Sequence, residues 1–173
     1  MTEERELKHS FAPVARPDAR FLILGSLPGE ESLRQVQYYA HKRNAFWRIM
    51  GELWNFDPAL PYAERLEALM IHRIALWDVA GSGFRPGSLD SNLKLERPND
   101  IPALLARCPG IRRIGCNGGR SYELFRRCFP VLVRNPALEV VRLPSTSPAA
   151  ALYSFETKRE AFRRFFAGGD AAR

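Results

Sequence analysis

The chain has few of the groups that most redox, metal and covalent chemistry depends on. It contains three cysteines, three histidines and only four lysines. Cys108, Cys116 and Cys128 form no CxxC pair and have no histidine beside them, so they make neither the four-thiolate set of the usual iron–sulfur cluster nor a tetrahedral zinc site. They read as small buried hydrophobes. No apolar run is long enough to cross a bilayer. Residues 1–16 carry three glutamates and no apolar stretch, unlike a secretory signal, so a cytoplasmic location is expected. Neither GxxxxGK[ST] nor GxGxxG occurs, which removes the P-loop and dinucleotide-binding signatures. Acidic clusters suited to Mg²⁺ are missing too. Asp78 and Asp90 are the only candidates, and Asp78 reads as a brace for its own loop.

What the chain does have is basic charge, unevenly placed. The formal net charge is +7. Residues 1–104 carry 13 Lys/Arg against 14 Asp/Glu, and residues 105–173 carry 13 against 5. Such asymmetry favours a polyanionic partner through phosphate contacts and counterion release. Arg120, Arg142, Lys158 and Arg163 are the candidate phosphate contacts. With 46% hydrophobic and 26% charged residues the composition is that of a globular protein, and the length fits one domain over residues 1–173 with a core at about 10–166. Residues 1–17 and 168–173 read as frayed ends.

Four short apolar runs each end in a turn-rich loop: Phe21 to Leu24 before Gly25-Ser26-Leu27-Pro28-Gly29, Ile74 to Trp77 before Asp78, Ile111 to Gly115 before Asn117-Gly118, and Val140 to Leu143 before Pro144-Ser145. Continuous apolar runs of this length predict buried parallel strands. Helical spacing of apolar residues lies between them, at 45–54, 62–71, 101–108, 120–128 and 155–166. Strands alternating with helices predict an α/β fold, a three-layer α/β/α domain around a four-stranded, mostly parallel sheet. Ligands of such sheets bind at the carboxyl ends of the strands, which points to the loops at 25–29, 78–90, 117–120 and 144–148.

Two of these regions can carry chemistry. In the first, Tyr38 and Tyr39 precede His41-Lys42-Arg43-Asn44 and then Phe46-Trp47. Aromatics interleaved with cations suit stacking on a base beside a phosphate. Phe46 and Trp47 read as core, whereas either tyrosine can face a ligand. Asn44 directly precedes a helix and reads as its cap. A loop asparagine can also hold a water or read a base edge, and the two roles are compatible. In the second region, Pro144 to Ala150 (PSTSPAA), prolines fix a hydroxyl-rich loop. Such a loop can lie against a phosphate backbone, or be an ordinary turn leading into a helix.

Taken together, GSLPGEES…YYAHKRNAFW after the first strand, ALWDV…GSLDSNL in the middle, the Asn117-Gly118 turn and LPSTSPA after the last strand resemble the uracil-DNA glycosylase superfamily. The likeness spans about residues 10–166, and within the superfamily the chain most resembles the hypoxanthine (deoxyinosine) DNA glycosylases. Other branches fit less well. Leu27 stands where the mismatch-specific branch has a water-positioning Asn. The Gly-Gln-Asp-Pro-Tyr pattern is absent. The Ser145–Thr146 region replaces the histidine of the uracil-specific branch, and the fourth cysteine of the iron–sulfur branches is missing.

The resemblance implies a monofunctional glycosylase that removes a deaminated base, hypoxanthine foremost, from DNA with no metal and no other cofactor, acting as a monomer in base excision repair. It implies Asn44 as the catalytic residue. It also implies base contacts from Gly25, Ser26, Leu27, Pro28, Tyr38, Tyr39, His41 and Asn117, and DNA contacts from Ser145, Thr146, Ser147 and Pro148. The rival readings are a uracil or G:U/G:T mismatch glycosylase on the same fold, a non-catalytic nucleic-acid-binding module that would not need Asn44, and a hydrolase of free nucleotides.

Overall fold

The structure, a computed structural model, describes residues 6–168. In chain order its elements are β1 (Leu7–His9), β2 (Phe21–Gly25), α1 (Glu30–Gln35), α2 (Phe46–Trp54), α3 (Tyr62–Ile71), β3 (Ile74–Asp78), β4 (Ala80–Phe84), β5 (Lys94–Pro98), α4 (Ile101–Arg107), β6 (Arg113–Asn117), α5 (Gly119–Cys128), α6 (Pro130–Arg134), β7 (Glu139–Leu143) and α7 (Phe155–Ala167). A short 3₁₀ turn spans Asp90–Asn92.

Four strands form one parallel sheet in the order β3-β2-β6-β7. Every residue of β2, β3 and β6 is buried, because helices cover both faces and leave no solvent side for polar residues. The sheet is therefore the middle layer of the expected α/β/α arrangement. Its register places the carboxyl ends side by side, with Gly25 opposite Asp78 and Asn117 opposite Leu143. Phe46, Ile49 and Met50 of α2 and Phe162, Phe165 and Phe166 of α7 are buried in the same core. Ring pairs such as Phe46–Phe162 and Phe21–Phe166 meet edge to face. Phe46 and Trp47 are core residues, as their spacing indicated.

A second sheet, antiparallel and ordered β1-β4-β5, was not foreseen. It also corrects the expectation that residues 1–17 fray. Leu7–His9 pairs with Phe84–Ser82, Ser10 N–H donates to Gly81 O, and Val14 bridges to Leu76 at the outer edge of the parallel sheet. The rest of the two expected frayed ends, residues 1–5 and 169–173, lies outside the described residues. No helix among the described residues is long and apolar enough to cross a membrane.

Candidate active site

One cleft of about 470 Å³ opens at the carboxyl ends of the parallel strands. Three loops build it: the one after β2, the one from Tyr38 to Asn44, and the one after β7. A fourth wall, from β3, β4 and the 3₁₀ turn, brings Asp78, Arg85, Ser88, Leu89 and Asp90. The volume lies within the range that encloses small ligands.

The loop after β2 is held from behind. Val79 N–H donates to Gly25 O at 2.8 Å and Ala80 N–H to Ser26 O at 2.9 Å. The Arg85 guanidinium donates to Leu27 O at 3.2 Å and Pro28 O at 2.5 Å. Ser26 Oγ donates to Asp90 Oδ1 at 2.7 Å, and the same oxygen accepts from Arg85 Nη1 at 2.9 Å. Among the described residues, the backbone N–H groups of Ser26, Leu27 and Gly29 have no partner. All three residues line the cleft, as do Gly25 and Pro28.

Gly25 allows this loop to leave the sheet, because a side chain there would collide with Asp78 Oδ1. Asp78 itself is only 3% exposed. Ser10 Oγ donates to its Oδ2 at 2.8 Å. Burial pushes its carboxyl up to about 7, against the pull of the Ser10 hydrogen bond and the Arg85 charge. Asp78 does brace its surroundings, and in addition it brings a titratable group to the cleft.

The structure separates the two tyrosines. Tyr38 is 3% exposed, donates its hydroxyl to Ala12 O at 3.2 Å and meets Phe11 edge on, so it belongs to the core although it touches the cleft. Tyr39 is half-buried, at φ +56°, with its ring stacked on Phe46 at 4.0 Å between centroids. Its buried hydroxyl has no partner among the described residues. Burial is the main cause that raises both phenols. His41 lines the cleft, with Nδ1 accepting from Arg43 N–H at 3.1 Å.

Asn44 also lines the cleft. Its Oδ1 accepts from Phe46 N–H at 3.0 Å, so it caps the start of α2, while Ala45 occupies the position where helical geometry begins. No other hydrogen bond ties the side chain down among the described residues, leaving its Nδ2 and one lone pair of Oδ1 for a ligand or water. Ala45 N–H donates to Thr146 O at 3.0 Å, which fastens Asn44 to the loop after β7.

Asn117 and Thr146 line the cleft and also brace each other. Asn117 Nδ2 donates to Thr146 Oγ1 at 3.0 Å, and Thr146 N–H donates back to Asn117 Oδ1 at 3.0 Å. Both are buried, Thr146 at 1% exposure, so their polar atoms fix the β7 loop against β6. Gly118 assists at φ +102°, a conformation that disfavours any side chain. Ser145, Ser147 and Pro148 share that cleft wall, half-buried. Beyond them Leu152 is 86% exposed and Tyr153 48%.

The expected phosphate contacts differ in their surroundings. Arg120 is tied to Glu123 and Leu93 O, Arg163 to Glu160, and Lys158 is buried beneath the β7 loop with Nζ 3.5 Å from Ser147 O. Arg142 stays exposed, and Lys42 and Arg43 stand exposed beside the cleft mouth.

Comparison with known proteins agrees with this geometry. A family model described as the uracil DNA glycosylase superfamily matches residues 12–167. A protein of Methanosarcina barkeri named hypoxanthine DNA glycosylase is 41% identical over 117 residues, 67% of this chain and 74% of its own. A Methanosarcina acetivorans protein of the same name is 36% identical over 155 residues, 89% of this chain and 95% of its own. The NMR structure of a Methanosarcina acetivorans protein, described provisionally as a uracil DNA glycosylase, superposes with a TM-score of 0.77 at 35% identity, over 92% of this chain and 99% of that one.

Proposed function

Because the chain belongs to the uracil DNA glycosylase superfamily, we propose that its cleft receives a deaminated base rotated out of DNA, hypoxanthine foremost, and hydrolyses the bond joining it to deoxyribose. The observation that carries this reading is the meeting, in one cleft, of three unpaired backbone donors with the Asn44 amide.

The steps follow from the residues. Extruding a nucleotide costs a few kcal/mol, least where pairing is already weak. Leu152, exposed beyond the β7 loop, is a side chain suited to fill the gap left in the stack. The Tyr39 ring stacks on the base, held by Phe46 behind it. As the C1′–N bond breaks, its electron pair moves onto the base while the sugar becomes oxocarbenium-like. The N–H groups of Ser26, Leu27 and Gly29 receive the charge that builds on the base carbonyl. Such preorganised donors lower the barrier without rearranging during the reaction. Asn44 holds a water against C1′. Its oxygen bonds to the sugar, and the proton passes to solvent because an amide takes none. Lys42, Arg43 and Arg142 meet phosphates.

No lysine stands ready to attack the sugar, since Lys42 is exposed and Lys158 contacts a loop carbonyl. The product is therefore an intact abasic strand, the first intermediate of base excision repair.

The test uses duplex and single-stranded oligonucleotides carrying hypoxanthine, uracil, xanthine or mismatched thymine, scored for strand breaks with and without alkali. Hypoxanthine is expected to give breaks only after alkali, and Asn44→Ala to abolish them while retaining binding. Breakage confined to uracil would move the assignment to the uracil and mismatch reading. No breakage with any base would favour a binding module.

A further inference from the structure

We infer that Arg85 is a positioning residue, one that aims the backbone donors of the loop after β2 at the leaving base. The inference rests on the glycosylase reading of the cleft and adds a component to it.

Each peptide from Gly25 to Gly29 is trans, so its C=O and the next residue's N–H point in opposite directions. Four successive carbonyls are drawn to one side. The backbone of Val79 and Ala80, where β3 passes into β4, holds Gly25 O and Ser26 O. Among the described residues, Arg85 alone holds Leu27 O and Pro28 O. The N–H groups of Ser26, Leu27 and Gly29 are thereby turned the opposite way, and all three lack a protein partner among the described residues. Pro28 contributes no N–H, so the far end of this donor row depends on the Gly29 peptide, whose carbonyl side Arg85 grips.

Arg85 is suited to this task and to little else. Its side chain is 1% exposed. Nε donates to Gly87 O at 3.3 Å, and Nη1 is shared between Leu27 O and Asp90 Oδ1. Asp90 completes the clamp by accepting from Ser26 Oγ. A buried guanidinium presents several donors in a rigid plane, a geometry that an ammonium does not reproduce. It also places a positive charge behind peptides whose opposite faces meet developing negative charge, which polarises the N–H groups in the useful direction. A surface pair would be worth little, whereas here the donor fork is nearly dry.

The test compares wild type, Arg85→Lys and Arg85→Met on a duplex carrying hypoxanthine. Single-turnover rate constants are measured at saturating enzyme. Binding is measured on the same duplex carrying 2′-fluorodeoxyinosine, which resists cleavage. Thermal melts report folding. Arg85→Met is expected to cut on the order of 10²-fold more slowly, the scale of losing one such donor. Arg85→Lys, which keeps the charge and loses the fork, should fall between, roughly tenfold down. Both should bind the uncut analogue within about threefold of wild type. A partly folded preparation lowers the amplitude and leaves the rate constant alone, so the two effects are distinguishable. If Arg85→Met does not fold, Arg85→Lys decides the question. Wild-type rate constants in the folded variants would overturn the inference, and so would losses matched by equally weakened binding. An inert wild type would instead overturn the glycosylase reading on which the inference stands.

Discussion

Asp78→Asn should make the protein more stable at high pH and remove a pH dependence that wild type displays. The Asp78 carboxyl is buried at the end of β3 and pushed up to about 7, chiefly by burial. In the unfolded chain the same group titrates near 3.9. A carboxyl whose folded value is raised favours the folded state most when protonated. Its contribution is fully present below about pH 4 and is lost as pH rises through about 7, because the unfolded chain releases its proton first. Taking those two values, wild type should lose about 2 to 3 kcal/mol between pH 5 and pH 8 from this residue alone. An asparagine has no proton to lose, and its Oδ1 can still accept from the Ser10 hydroxyl that now bonds Asp78 Oδ2 at 2.8 Å. Giving up the attraction to Arg85 offsets part of the gain. For a domain of this size each kcal/mol moves the melting temperature by roughly 2–4 °C. The assay is a set of thermal melts of both proteins from pH 5 to pH 9 in one buffer series. The quantity of interest is the difference between the two curves, which cancels the histidines. That difference should widen by several degrees from pH 5 to pH 8 and then level off. Parallel curves across the whole range would refute the claim that Asp78 is a desolvated acid.

Other substitutions probe the cleft. Asn44→Ala should lower the single-turnover rate by about 10²–10⁴-fold, the scale for a group acting on the attacking water, and should cost about 1 kcal/mol of stability because the Phe46 N–H loses its cap. Urea melts and burst kinetics measure the two separately. Tyr39→Phe should fold at least as well as wild type, since the buried hydroxyl it removes has no partner, whereas Tyr39→Ala should lose base stacking of about 1–3 kcal/mol, read as weaker binding of the 2′-fluorodeoxyinosine duplex. Leu152→Ala should slow excision from perfectly paired duplex more than from single strands, because only the duplex leaves a gap to fill. Removing Lys42 and Arg43 together should reduce the slope of log affinity against log salt by roughly 2, with little change in the rate at saturation.

How much of this was legible in the chain depended on whether one segment could speak for itself. The parallel strands could. A strand buried on both faces must be apolar throughout, and the runs around Phe21–Leu24 and Ile74–Trp77 are. The second sheet could not. β4 reads Ala-Gly-Ser-Gly-Phe and β5 Lys-Leu-Glu-Arg-Pro, with neither the alternation nor the β-branched content that marks a strand, and β1 has three residues. β1 is held by pairing with a strand far along the chain, Leu7 opposite Phe84, and β4 by pairing with β5, Phe84 opposite Lys94.

The cleft divides in the same way. Turn-rich strand ends located Gly25–Pro28 and the Ser145–Pro148 loop, because a loop at a carboxyl strand end faces ligand wherever helices cover the sheet. Tyr39 came from the segment that interleaves aromatics with cations, and the role of Asn44 from the family resemblance. Arg85 lies in the 78–90 loop that the strand-end rule indicates, yet the sequence does not single it out, because a charged side chain in a Gly-rich stretch ordinarily projects into water. Asp78 and Asp90 read there only as candidate metal ligands or, for Asp78, as a brace. Burying Arg85 is favourable only when carbonyls from Leu27, Pro28 and Gly87 and the Asp90 carboxylate converge on it, and nothing local announces that convergence. Asn117 and Thr146, polar residues at the right strand ends, line the cleft but spend two hydrogen bonds on each other. A strand-end position therefore tells which residues surround a ligand. Whether a polar group is free to touch it depends on a hydrogen-bond account that closes only in three dimensions, and among the described residues the groups that account leaves open in the cleft include the Asn44 amide, the Tyr39 hydroxyl and three backbone N–H groups.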